Sequence, residues 1–229
     1  MVDTERFQLG PHLIHTVTTV AGELARQGNG EVSPLQVVTY LPLDVDSVGR
    51  VLEAVGEDYE IERVEEGSIC FFRFEDPGAV VDVEVDIDAG EHLADPSNLQ
   101  NNLAALKSEE GWTRKVHEQH ELLHIASRSD SPTVELSYFL SRTDIPSARV
   151  QSILNDFDAE GYLRHEFDEE NDILEYTFPP LDYPKERHRR NLDFLDELDE
   201  TNHSNRIWYL LGIFALILLG IVIAVRFYL

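Results

Sequence analysis

The chain reads as an α+β protein: two like units in tandem, followed by a single apolar helix. Three observations predict this. Helical periodicity and β-rich arms follow one order, helix, helix, helix, hairpin, and that order occurs twice. The apolar positions of the third helix recur at a constant offset of 102 residues. Residues 207–225, IWYLLGIFALILLGIVIAV, run for 19 positions without a charge or a proline.

The first unit opens with PHLIHTVTTVAGELARQ (11–27), an amphipathic helix through Leu13, Val17, Val20 and Leu24. Gly28, Asn29 and Gly30 punctuate it. A short second helix starts at Ser33 and Pro34, where Ser suits the cap and Pro the first turn, and carries Leu35, Val37 and Tyr40. A third helix runs from about Asp44 to Val55, with Val48, Val51, Leu52 and Val55 on one face. The stretch YEIERVEEGSICFFRFED then reads as a hairpin around a Glu-Glu-Gly-Ser turn.

The second unit repeats this order. Helices are predicted over 112–129, within 131–143 (Leu136, Phe139 and Leu140), and over 145–163, where Gly161 ends the third; a hairpin follows over 163–178. Leu43 matches Ile145, Val48 matches Val150, Val51 matches Ile153, Leu52 matches Leu154, Val55 matches Phe157 and Ile61 matches Leu163. Between the units, AVVDVEVDIDA (79–89) alternates apolar and acidic residues, so a strand added to the first hairpin is expected. The organisation is then a first unit with an extra strand (1–90), a connector helix (91–111), a second unit (112–182), a juxtamembrane segment (183–206) and an apolar span (207–225). Prolines in PPLDYP end the second unit, and RHRRNLDFLDELDE forms an amphipathic helix with Leu192, Phe194, Leu195 and Leu198 as its apolar residues.

Three helices, a tight second turn and a hairpin resemble the winged helix-turn-helix fold. DIPSARVQSILNDFDAEGYLR carries the resemblance best: a short turn, a third helix, then an acidic residue, Gly, an aromatic and Leu entering the first wing strand. The resemblance covers 11–76 and 112–180. It implies either DNA reading or protein binding, since fold alone does not decide function. Under DNA reading, Arg149, Gln151, Ser152 and Asn155 on the third helix of the second unit would meet base edges. The wings oppose this: one tip is EEGS, and the other carries Glu166, Asp168, Glu169, Glu170 and Asp172 where phosphate would lie. The tandem arrangement on an acidic chain also resembles the segregation and condensation protein B family, which binds a partner chain in a chromosome-organising complex. A membrane anchor is a departure from that family.

As a helix, the apolar run spans about 28 Å, close to the ~30 Å hydrocarbon core of a bilayer. Trp208 and Tyr209 stand at one end and Phe227 and Tyr228 at the other, as in interfacial belts. The N-terminus has no apolar signal-peptide core, so the targeting information is expected in the tail. PKERHRR (184–190) and Arg206 precede the span and only Arg226 follows it, which places the body in the cytoplasm. The lipid bilayer is therefore one expected partner, contacted at its interface by Arg206, Trp208, Tyr209, Arg226 and Tyr228. Gly220 and Ala224 form one small-xxx-small pair through which two spans can approach.

The chain has 44 acids against 18 bases, for a net charge of −26. Such a surface suits a salt-rich, halophilic cytoplasm, where screening removes self-repulsion. A single cysteine, Cys70, excludes an internal disulfide, and its apolar stretch SICFFRF predicts a buried thiol. His117, His120 and His124 share one helix face, but one straight helix cannot easily wrap an ion with ligands at both i and i+7, so solvated or half-buried histidines are expected rather than metal. No phosphate loop, nucleophile elbow or cysteine metal motif is present, so neither an enzyme nor a cofactor is expected. The sequence favours a membrane-anchored adaptor that binds a protein partner. A membrane-tethered DNA-binding regulator is the alternative.

Overall fold

The structure, a computed structural model, describes residues 11–56, 59–80 and 111–198. The chain as far as Leu192 belongs to one compact unit, and the chain from Asp193 onward to another. The elements of the first half are α1 (Pro11–Gln27), β1 (Glu31–Val32), α2 (Pro34–Val38), α3 (Val45–Ala54), β2 (Ile61–Glu66), β3 (Ile69–Phe74) and α4 (Pro77–Val80). Those of the second are α5 (Trp112–Ser127), β4 (Thr133–Glu135), α6 (Leu136–Leu140), α7 (Ser147–Ala159), β5 (Arg164–Asp168) and β6 (Ile173–Thr177). A further helix, α8, covers 185–198. The class is mixed α+β with two small three-stranded sheets, ordered β1-β3-β2 and β4-β6-β5.

The repeat extends beyond the third helix. β1 and β4, and α2 and α6, are related by the same offset of 102. Val32 pairs with Phe72 in one sheet, and Val134 with Tyr176 in the other. The second hairpin is longer at its turn, so β6 trails β3 by 104. Of the matched apolar pairs, Val48/Val150, Val51/Ile153, Leu52/Leu154, Val55/Phe157 and Ile61/Leu163 are buried in both halves. Leu43 is buried while Ile145 is only half-buried, because Leu43 faces the seam between the halves.

Local chemistry fixes the helix ends. Ser33 and Gln36 form a reciprocal capping box on α2, worth about 1 kcal/mol. Asp44 caps α3 by accepting from the Ser47 N–H at 3.0 Å and the Ser47 hydroxyl at 2.6 Å. After α7, Gly161 adopts φ +76°, and Tyr162 N–H reaches back to the Phe157 carbonyl at 2.9 Å. This is a Schellman ending, which needs the left-handed residue that glycine supplies without strain.

Three sequence expectations change. The segment expected as a strand from Ala79 begins inside α4, since Pro77 starts a helix there; residues 81–89 lie outside the described residues. Among the described residues the first sheet has a third strand that the sequence did not mark, β1, paired with β3. Leu140, expected on an apolar face, is exposed. The connector helix lies outside the described residues except for Gly111. So do the apolar run and its flanking Arg206, Trp208, Tyr209, Arg226 and Tyr228. Among the described residues no helix is long and apolar enough to cross a membrane.

The two halves interlock along α3. Cys70 N–H donates to the Gly161 carbonyl at 2.6 Å. Arg63 donates to the Glu160 carbonyl at 2.7 Å and to Cys70 Sγ at 3.1 Å, and pairs with Glu53. Gly49 faces Tyr162 so closely that an added Cβ would lie 2.0 Å from the Tyr162 hydroxyl and 2.9 Å from its Cζ. Gly49→Ala therefore gains about 1 kcal/mol of helix propensity but loses more to overpacking, for a net loss of about 1–2 kcal/mol in urea unfolding. Adding Tyr162→Phe recovers part of that loss. A more stable Gly49→Ala would contradict this packing.

Candidate functional site

Three stretches of chain meet at His120, on the buried side of α5. Its side chain is fully buried, not solvated or half-buried as the helix pattern suggested. Nε2 lies 3.1 Å from the Leu43 carbonyl, which can only accept, so Nε2 carries the proton. Neutral Nδ1 is then an acceptor, and the Tyr183 hydroxyl donates to it at 2.6 Å. Asn191 on α8 donates to the Tyr183 oxygen at 3.0 Å and to the Thr39 carbonyl at 3.4 Å. This relay joins the end of α2, the start of α3, the helix α5 and the segment after the second hairpin. Burial drives the His120 pKa down to about 3, while the bond to Leu43 opposes the shift. The imidazole is therefore neutral at physiological pH, with both nitrogens engaged.

Polar contacts flank the relay. Trp112 Nε1 donates to Asp44 at 2.9 Å, and Gln119 accepts from the Val45 N–H at 3.1 Å. Lys115 pairs with Asp46. These contacts seal α3 against α5. Val45, Ser47, Val48, Gly49, Val51 and Leu52 are all buried, and Arg50, Glu53 and Ala54 stay exposed.

The remaining histidines stack on this seam. The His124 and His188 rings lie 4.3 Å apart and 9° from parallel, and Tyr183 packs edge-on against both. Burial lowers the pKa of each, that of His188 to about 4. His188 Nδ1 is buried and has no hydrogen-bond partner among the described residues. His117 is half-buried. Among the described residues no three His, Cys, Asp or Glu side chains are placed to hold a metal ion. Cys70 is buried, as its apolar stretch predicts.

The residues singled out for DNA reading separate into two groups. Gln151, Ser152 and Asn155 are exposed on α7, and Asn155 accepts from the Tyr176 hydroxyl at 3.3 Å. Arg149 is tied to the buried Glu118 at 2.7 Å, and Glu118 also holds Arg114 at 2.9 Å. Its guanidinium serves a buried carboxylate, so it is not a free contact for a base edge. Beside α7, a groove of about 220 Å³ is lined by Asp46, Glu53, Asp156 and Glu160 together with Arg50 and Tyr162. That acidic lining repels phosphate, as does the turn between β5 and β6. There Asp168 accepts from Asn171 Nδ2 at 2.7 Å and from the Glu170 N–H at 2.9 Å, contacts that hold its carboxyl below the usual carboxylate range.

An asymmetry between the halves was not legible in the sequence. On α2, Pro34, Leu35, Val37 and Val38 are all buried. The segment leading into α8 and the first turns of α8 meet this helix at its polar position and just past its C-terminal end. Gln36 donates to the Pro180 carbonyl at 3.0 Å, the Arg187 guanidinium lies 3.6 Å above the Tyr40 ring centre, and Asn191 reaches Thr39. On α6, the matching helix, only Phe139 is buried. Leu140, the counterpart of buried Val38, is 38% exposed, and Phe167 on the edge strand β5 is 54% exposed. At the shared offset Pro34, Val37 and Val38 match Leu136, Phe139 and Leu140, while Leu35 and Gln36 match Ser137 and Tyr138.

No protein-family model matches the chain, and no curated protein matches it.

The relay predicts acid sensitivity. The folded pKa of His120, about 3, lies below its ordinary value of 6.5. Between these values the unfolded chain binds a proton that the folded chain excludes. Stability therefore falls as pH drops through this window, by about 1.4 kcal/mol per pH unit from His120 alone. Thermal melts across the window will show this slope. His120→Gln keeps a donor toward Leu43 and cannot take up the proton, so its profile will be flatter. An unchanged slope would contradict the assignment.

Proposed function

We propose that this chain is a membrane-anchored, non-enzymatic cytoplasmic adaptor built from two winged-helix units, and that a protein partner docks on the second unit. The repeated order of helix, short strand, helix, helix and hairpin supports the winged-helix reading, as does pairing of the short strand with the second hairpin strand. The 19-residue apolar run with aromatic ends and a basic flank supports the anchor.

One observation carries the adaptor reading. Chain between Pro180 and Asn191 meets Gln36, Thr39 and Tyr40 at α2, while on its counterpart α6 Leu140 and the half-buried Leu136 and Tyr138 stand without a covering helix among the described residues. An exposed leucine beside two half-buried apolar residues on a short helix suits the apolar face of an amphipathic helix supplied by a partner. The sealed α3, the engaged Arg149 and the acidic wing make DNA the weaker reading. The exposed Gln151 and Ser152 on α7 keep a membrane-tethered DNA-binding regulator as the second.

A photo-crosslinker at position 140 of the full-length protein in its native cells is expected to capture a protein, and one at position 151 to capture no DNA. Leu140→Glu, at an exposed site, leaves folding unchanged and weakens the partner complex about ten- to a hundredfold, the worth of one buried leucine. Discrete genomic peaks that vanish in Gln151→Ala/Ser152→Ala would instead establish the regulator.

A further inference from the structure

One cluster of cations stands out on this acidic chain. Most described Lys and Arg residues are tied to carboxylates, as Arg26 is to Glu23, Arg73 to Glu31 and Lys115 to Asp46. With 44 acids for 18 bases, pairing is the expected state of any cation. Lys185, Arg189 and Arg190 at the start of α8, and Arg128 at the end of α5, are exposed and make no ion pair among the described residues. The stacked His124 and His188 rings hold these two helix ends together. Arg128 and Lys185 both lie close enough to His124 for their charges to act on it, behind the larger effect of burial. Lys185 and Arg189, one turn apart, share a face of α8.

The placement also runs against the helix itself. Cations are favourable at a helix C-terminus and acids at its N-terminus. α8 carries Lys185, Arg189 and Arg190 in its first turns, with Glu186 among them, and Asp193, Asp196 and Glu197 further on. Three cations against one acid in these first turns remain opposite to what the helix dipole favours, and no ion pair among the described residues holds them. Sixteen residues separate Arg190 from Ile207, where the apolar run begins, a tether no longer than about 60 Å even when fully extended.

We propose that Lys185, Arg189, Arg190 and Arg128 form a docking patch for anionic lipid headgroups, which holds the body against the membrane surface. The proposal rests on the anchor reading. It goes beyond that reading by giving the body its own lipid contact, separate from the tail. On an acidic body this patch sets which side faces the bilayer, because an anionic surface repels the rest. Each basic residue near an anionic leaflet is worth about fivefold in affinity, so the cluster is worth about a hundredfold or more at low salt.

The test uses the full-length protein reconstituted into vesicles. Amide hydrogen exchange of residues 124–128 and 185–192 is compared between zwitterionic vesicles and vesicles containing phosphatidylserine, at about 0.1 M salt. The expected result is at least about tenfold slower exchange on the anionic vesicles, reversed by molar salt and absent in Lys185→Glu/Arg189→Glu/Arg190→Glu. Equal exchange on both vesicle types, or protection that survives in the triple variant, would overturn the proposal. Equal protection by inorganic phosphate on zwitterionic vesicles would reassign the patch to a soluble anion and overturn the lipid assignment. The anchor is read separately: flotation with zwitterionic vesicles depends on the tail alone, and its loss refutes the anchor without deciding the patch.

Discussion

His120 has no solvent to fall back on, and each of its nitrogens bonds a different part of the chain. A buried imidazole whose partners are removed leaves an unsatisfied polar group, a larger loss than the bond was worth when made. The position therefore constrains the start of α3, which supplies the Leu43 carbonyl, and Tyr183, which supplies the hydroxyl. Asn191 then ties the same hydroxyl to the end of α2. Once these contacts form, α3 is sealed, Gly49 and Tyr162 interlock, and the segment after the second hairpin lies over the first unit. A small polar network thus joins the halves at this point.

The same unit folded twice then acquires two surface histories. In the first copy the third helix is buried at the seam and the second helix is met by returning chain. In the second copy the third helix shows its polar side to solvent and the second helix keeps an exposed leucine.

Much of the fold was legible because its signals are local. Ser33 before Pro34, Asp44 before an apolar stripe and Gly161 after one mark helix ends through hydrogen bonds made within a few residues. The recurrence of Val48, Val51 and Leu52 at Val150, Ile153 and Leu154 exposed the repeat. The two-residue strand β1 and three-residue β4 were missed, because strands so short carry no period. The site was less legible. His120 reads as one of three histidines on a helix face, and only the tertiary fold brings Leu43 and Tyr183 to it from 77 and 63 residues away. Arg149 reads as a free cation until Glu118, 31 residues earlier, is seen beside it. Leu140 and Val38 occupy matching places at the ends of their helices, yet Val38 is buried and Leu140 exposed, a difference that neither apolar residue announces.

The central claim is that the two units form one cooperative body locked through the His120 relay. Native-state hydrogen exchange on the full-length protein tests it most directly. Amides in the middle of α3 and of α5 should open with a single free energy, and Tyr183→Phe should lower both by the same amount. Two distinct opening energies, with only α5 responding to Tyr183→Phe, would mean that the halves fold independently and would contradict the account.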